Sequence, residues 1–294
     1  MLKRVLLGLG LCGFFGALAA APAPDEPKIL FSSKRSGNYD IYLMNLDGSD
    51  AKNLTNSKAY NTFPAWSPDG KTIAFCRYDE GQLPAIWTMD ADGKNAKQIT
   101  KGHDRGPAWS PDGKKIAFCR HDGGNPEIYV MDADGSNAVN LTKNPAFDAD
   151  VSWSPDGKKL VFTSDRSNEG FKIYVMDADG ENVKEVTKTG NRLGFAYPAW
   201  SPDGKRISYA DQAKNNLEIF ACDPDGENVK QLTNLGGRNS YPAWSPDSKQ
   251  ILFRHLDGKG EGPLYICDAD GGNQKIVLKT EGDIEGSRAA WQPK

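Results

Sequence analysis

One short phrase recurs along the chain, each copy centred on a tryptophan: Trp66, Trp109, Trp153, Trp200, Trp244 and Trp291, spaced 43, 44, 47, 44 and 47 residues apart. Around most of them stands a close variant of Pro-Ala-Trp-Ser-Pro-Asp-Gly-Lys, followed by an apolar run such as Ile116-Ala117-Phe118. A second phrase, as in Ile128-Tyr129-Val130-Met131-Asp132-Ala133-Asp134-Gly135, and a third, Asn140-Leu141-Thr142, complete the unit. A period of roughly 40–50 residues with several strands per unit is that of propeller blades, which bury their apolar faces only by stacking on their neighbours.

The unit from Gly106 to Thr142 reads as four strands. Pro107-Ala108-Trp109 is a short first strand. Ser110-Pro111-Asp112-Gly113 is a tight turn, because Pro presets φ at its second position and Gly tolerates positive φ at its close. Lys114–Phe118 and Glu127–Met131 are the second and third strands, separated by a variable segment. Asp134-Gly135 is a hairpin signal that turns the chain into a fourth strand ending at Asn140-Leu141-Thr142. A small residue precedes the Trp in all six copies (five Ala, and Ser152), which suits an innermost strand crowded around a channel.

The ends complete the count. Residues 29–55 match second, third and fourth strands with no first, and Ala289-Ala290-Trp291-Gln292-Pro293 match a first strand alone. The expected fold is therefore all-β: a six-bladed β-propeller of four-stranded antiparallel blades over residues 29–294. It is closed where the C-terminal strand joins the N-terminal blade, so that no blade edge is left open.

Before this domain, Lys3 and Arg4 precede an apolar stretch, Val5–Leu18, and then Ala17-Leu18-Ala19, the charged, apolar, small-residue order of a secretory signal. Residues 1–19 are read as a signal peptide and 20–28 as a linker, which predicts a periplasmic or secreted protein. Cleavage after Ala19 leaves 34 basic and 39 acidic residues, a net charge of −5. No basic run offers itself to phosphates, so nucleic acid is not expected as a partner. No second apolar stretch is long enough to span a membrane. Four cysteines remain, Cys76, Cys119, Cys222 and Cys267. They fall at equivalent positions of neighbouring units, too far apart in a ring for the Cα separation of about 7 Å or less that a disulfide requires. Free thiols used as small apolar fillers are expected.

The Trp-Ser-Pro-Asp-Gly-Lys and Met-Asp-Ala-Asp-Gly phrases resemble the WD-like repeat of the TolB propellers, periplasmic components of the Tol–Pal envelope system. The resemblance covers residues 29–294 and does not include the α/β domain that precedes the propeller in that family. It implies a non-enzymatic, protein-binding role, with a Pal-like lipoprotein among the partners.

Catalytic signals are weak. The Asp-x-Asp-Gly-x-Asn phrase is not an EF-hand: Gly stands fourth instead of sixth, and Lys101, Lys143, Lys188 and Lys279 occupy the twelfth place of four copies, where a bidentate Glu is required. His103, His121 and His255 share no metal-ligand spacing, and no Gly-x-Ser-x-Gly elbow is present. No catalytic residue, metal or cofactor is predicted. A sugar-binding propeller with a site at the channel mouth, similar to oligogalacturonate lyases, is the alternative.

Function is expected where the copies differ. The Ser-Pro-Asp and Asp-Gly turns share one face and are nearly invariant. The second-to-third loops and the links between blades share the other and vary in length and chemistry. On that face the candidate partner-binding residues are Tyr60, His103, Asp104, Arg105, Phe147, Asp148, Asp150, Arg192, Phe195 and Arg238. Phe63, Tyr197 and Tyr241, each three residues before its Trp, are expected to pack between blades. The protein is expected to act as a monomer.

Overall fold

The computed structural model describes residues 27–257, 262–278 and 289–293. The signal peptide read at residues 1–19 and most of the linker lie outside the described residues, and Lys28 already belongs to the first strand.

Every regular element in the described residues is a strand, and the strands fall into antiparallel sheets in chain order. The first sheet holds Lys28–Ser33, Asp40–Asn45 and Lys52–Asn53, with Ala290–Trp291 from the far end of the chain paired on its inner edge. The second holds Tyr60–Trp66, Thr72–Tyr78, Ala85–Asp90 and Lys97–Gln98. The third holds Asp104–Trp109, Lys115–His121, Pro126–Asp132 and Val139–Asn140. The fourth holds Asp148–Trp153, Lys159–Ser164, Lys172–Asp177 and Lys184–Glu185. The fifth, Ala199–Trp200, Ile207–Ala213, Asn216–Cys222 and Lys230–Gln231, meets the sixth, Arg238–Trp244, Gln250–Leu256, Leu264–Asp268 and Lys275–Leu278, through one parallel bridge, Leu217 to Arg238.

The repeated phrases hold each sheet together and then to its neighbour. In the Ser-Pro-Asp turn the Ser67 hydroxyl donates to Asp69 (2.7 Å) and accepts from the Thr72 amide (2.9 Å), a pattern repeated at Ser110, Ser154 and Ser201. The Thr of Asn-Leu-Thr accepts a bond from the third strand's backbone, as Thr142 does from the Ile128 amide (3.0 Å). Each cluster of the core draws on two successive sheets, and one of them joins Ile29, Phe31 and Met44 of the first sheet to Leu252, Leu264 and Ile266 of the sixth. The Trp indoles reach across as well: Trp153 donates to the Ala108 carbonyl (3.1 Å), Trp244 to Ala199 (3.2 Å) and Trp291 to Ala243 (3.0 Å). The C-terminal strand pairs antiparallel with the N-terminal one, Trp291 opposite Ile29 and Ala290 opposite Leu30. Cys76, Cys119, Cys222 and Cys267 are free and buried, as their equivalent positions imply.

First strands depart from the sequence reading in one respect. In the second, third, fourth and sixth sheets they begin before the Pro-Ala-Trp phrase or its counterpart and run past a bulge, from Asp104 instead of Pro107 in the third sheet. Register shifts between Thr62 and Ala65, Arg105 and Ala108, Ala149 and Ser152, and Ser240 and Ala243 mark these bulges. The residue three before the Trp takes positive φ in the five copies where it is described: Phe63 (52°), Gly106 (62°), Asp150 (55°), Tyr197 (49°) and Tyr241 (56°). A bulge leaves one residue unpaired and re-aims its side chain. Here it redirects that side chain away from the sheet and changes which of the flanking residues are buried.

Candidate partner-binding face

A cavity of about 530 Å³ is lined by a segment from each of these groups of strands, among them Phe63–Trp66 and Ala289–Trp291. The bulges decide what stands at its rim. Phe63 and Tyr241 line it with Asp150, and the Phe63 and Tyr241 rings meet edge-on at 6.4 Å. Tyr197 lies 3.9 Å from Tyr241 between ring centroids. Tyr197 packs, as expected, against the core cluster shared by the fifth and sixth sheets, while its ring and that of Phe63 also meet Tyr241, so the three form a group at the rim.

From Tyr197 the aromatic contact continues outward. Phe195 meets Tyr197 edge-on (6.0 Å) and stacks on Phe147 (5.0 Å), with Phe171 edge-on to both (4.7 and 5.5 Å). Phe147 meets His121 (6.5 Å), which stacks on His103 (4.6 Å). These eight rings form one arc, and every one is half-buried, neither enclosed nor fully in water. Arg105, Arg192 and Arg238 stand exposed beside it. The Arg192 Nε donates to the Glu169 carbonyl (3.5 Å), and the Arg238 guanidinium lies against Gly194, where an added Cβ would stand 2.7 Å from Nη2.

Electrostatics follow burial. Burial, then the Asp150 carboxylate, push the Tyr197 phenol up to about 12, and burial raises Tyr241 too. Burial, reinforced by Arg105, lowers both His103 and His121, so the stacked imidazoles are neutral at pH 7.

Two predicted contact residues are corrected. Asp104 and Asp148 are fully buried (0% exposed), because the extended first strands carry them inward. Asp104 accepts two bonds from Arg120 (2.6 and 3.0 Å), and Asp148 is held by Arg166 (2.9 Å) and Asn144 (2.7 Å). They anchor the fold and cannot reach a partner. Of the other candidates, His103, Phe147 and Phe195 join the arc and Asp150 stands at the rim. Tyr60 lies apart, 37% exposed and stacked on Tyr78 at 4.8 Å. Sequence reasoning missed the parts of His121 and Phe171, which enter the arc from the ends of second and third strands. The repeated place three before Trp was the available signal for Phe63, Tyr197 and Tyr241.

His103 and His121 stack, but the third histidine stands apart from them. His255 belongs to the sixth sheet, where its Nδ1 bonds the Asn239 side-chain oxygen (2.8 Å). Among the described residues no three His, Cys, Asp or Glu side chains stand close enough to hold a metal ion. No helix of the described residues is long and apolar enough to cross a membrane.

Repeated four-stranded sheets about a common cavity, with one uniform and one irregular face, define a repeat β-propeller. The chain belongs to the TolB beta propeller domain family, whose profile matches residues 12–105 and 99–294. It is similar to the crystal structure of TolB from Acinetobacter baumannii, with a TM-score of 0.78 and 29% identity over 91% of this chain and 67% of that one. A TolB homolog of Chlorobaculum tepidum is 42% identical over 55 residues, 19% of this chain and 13% of that protein. The Tol-Pal system protein TolB of Rhizorhabdus wittichii is 37% identical over 68 residues, 23% of this chain and 15% of that protein. The matched segments thus span less than a fifth of either relative.

Proposed function

We propose that this chain is an exported, closed six-bladed TolB-type propeller that binds a protein of the cell envelope through its irregular face and catalyses no reaction. A component of a Tol–Pal system is the first candidate partner, a Pal-like lipoprotein among them, with the propeller acting as a monomeric scaffold in the periplasm. The observation that carries this reading is the aromatic arc. Half-buried aromatic rings flanked by exposed arginines are the composition of an interface core and its anchors. The pairing of Trp291 with Ile29 supports closure, since it supplies the first sheet with the inner strand it otherwise lacks.

The test is capture from envelope extracts with a photo-crosslinker placed at Arg238 and, in parallel, at Asp92 on the uniform face. Crosslinks to a defined envelope protein from position 238 and not from 92, weakened by Arg192→Glu, are expected. Equal crosslinking from both faces would overturn the assignment.

A further inference from the structure

The repeat exposes a difference in the fifth sheet. Second and third strands carry an aromatic pair in cross-strand register: Phe31 with Tyr42, Phe118 with Tyr129, Phe162 with Tyr174, Tyr209 with Phe220 and Phe253 with Tyr265, all 5.6–6.0 Å apart. In the second sheet Phe75 faces Trp87. Four of the six pairs are capped by an arginine of the same sheet. Arg35 lies 4.9–5.0 Å from its two rings, Arg77 4.6 Å from Trp87, Arg120 4.8–5.2 Å and Arg166 4.8–5.0 Å from theirs. In the sixth sheet His255 takes that role, edge-on to Tyr265 at 5.5 Å.

The fifth sheet keeps the pair and reverses the charge. Two residues past Tyr209, where Arg77, Arg120 and His255 stand in their sheets, it has Asp211. Five residues before its Trp, where Asp104 and Asp148 bind their arginines, it has Phe195. Asp211 faces a second carboxylate, Glu218, directly across the strands. Glu218 is buried and satisfied by Thr233 (2.6 Å), Asn239 (2.7 Å) and the Gly236 amide (2.9 Å). Among the described residues Asp211 accepts only from the Gln212 amide (2.7 Å) and the Thr189 hydroxyl (3.4 Å), and none of their cations stands within ion-pair distance of it. Asp211 and Phe220 are half-buried and reachable from the irregular face, where the second strand ends, whereas Tyr209 is buried beneath them at 2% exposure. Burial raises the Asp211 carboxyl above its ordinary value, the mark of a carboxylate drawn out of water without a compensating charge.

We infer that Phe220 and Asp211, backed by the buried Tyr209, form a guanidinium seat, and that an arginine side chain of a protein partner fills it as the chain's own arginines fill the sibling sheets. A planar guanidinium stacks on the Phe220 ring and donates to the carboxylate in one pose, which a compact, strongly hydrated ammonium does not. The seat rests on the protein-binding reading above only for the source of the arginine.

The experiment is an NMR titration of the full ¹⁵N-labelled chain with the tripeptide Gly-Arg-Gly amide, beside its citrulline and lysine counterparts. Citrulline keeps the shape and lacks the charge. Saturable shifts at the amides of Asp211, Gln212 and Phe220 with the arginine peptide are expected, none with citrulline, and at least about fivefold weaker binding for lysine. Asp211→Asn and Phe220→Leu each weaken the arginine peptide about tenfold or more. Asp211→Arg, which rebuilds the sibling cap, abolishes binding and raises the unfolding temperature. Shifts no larger with arginine than with citrulline in the unaltered protein would overturn the seat, as would an Asp211→Asn variant that titrates like the parent. Rim reversals at Arg192 and Arg238 leave this titration unchanged, so failure of the seat and failure of the partner-binding face are read separately.

Discussion

Gly135 rests on the backbone of Ile99 in the preceding sheet, so close that a Cβ on it would stand 2.2 Å from the Ile99 carbonyl oxygen. The same contact recurs from Gly93 to Leu54, Gly180 to Leu141, Gly226 to Val186 and Gly271 to Leu232, and from Gly48 of the first sheet to Val277 of the sixth. The Asp-Gly turn and the Asn-Leu-Thr phrase are thus two halves of one inter-sheet joint. Gly135→Ala meets both that carbonyl and a φ of 96°, which Ala adopts only at a cost. A loss of roughly 2–4 kcal/mol is expected in urea unfolding; a loss below about 0.5 kcal/mol, the range of neutral surface changes, would contradict the joint.

The junction of the chain's two ends is a second joint. Trp291 pairs with Ile29, donates to the Ala243 carbonyl (3.0 Å) and is buried. Trp291→Ala removes the ring and the bond, and a cost of about 3–5 kcal/mol, typical of a buried aromatic, is expected. Truncation before Ala289 lowers the melting temperature further. A melting curve unmoved by truncation would show that the ends do not need one another.

Asp104 and Arg120 form a pair in which the carboxylate is wholly buried and the guanidinium partly so. Arg120→Ala strands that charge and uncaps Phe118 and Tyr129, so a loss of about 3–5 kcal/mol is expected. The double change Asp104→Ala with Arg120→Leu recovers part of it, because no lone charge stays behind. A double variant as unstable as Arg120→Ala would exclude the ion pair as the cause.

Thiol chemistry reports on the core. Burial pushes Cys76, Cys222 and Cys267 up to about 12, and Cys119 upward as well. A thiol raised in the folded state favours folding while it stays protonated. This contribution is complete below the unfolded thiol value near 8.5 and is lost as pH climbs from there towards 12. At pH 8 these four cysteines resist a thiol reagent in the native protein and react together on unfolding, which peptide mass mapping detects. Rapid native labelling of Cys76 or Cys119 would contradict their burial.

The stacked pair His103 and His121 works in the opposite direction. Their native values are depressed below the ordinary histidine range, so the stability they contribute is present above about pH 6.5 and is lost as pH falls through the depressed values. Histidine Cε1 resonances that titrate below pH 6.5, and a smaller acid loss in a His121→Phe variant, are expected. Midpoints above 6.5 would refute the assignment.

How far each feature was legible depends on whether repetition encodes it. The six tryptophans, the Ser-Pro-Asp turns and the free thiols at equivalent places could be read directly, because each is a local preference stated several times over. The interior roles of Asp104 and Asp148 could not, since a bulge with positive φ at Gly106 and Asp150 reverses the alternation that would have placed them.

By itself, the order of residues determined an all-β chain of repeated hairpin units whose turns, apolar runs and small inner residues need stacked neighbours to bury their faces. Only the tertiary structure decided which irregular residues meet. Phe147, the Phe195–Tyr197 segment and Tyr241 come from three places far apart in the chain, and Asp211 gains its meaning from caps in other sheets. Local propensity acts between near neighbours, whereas the packing of sheets about one cavity brings distant ones into contact, and no short stretch of chain carries that information.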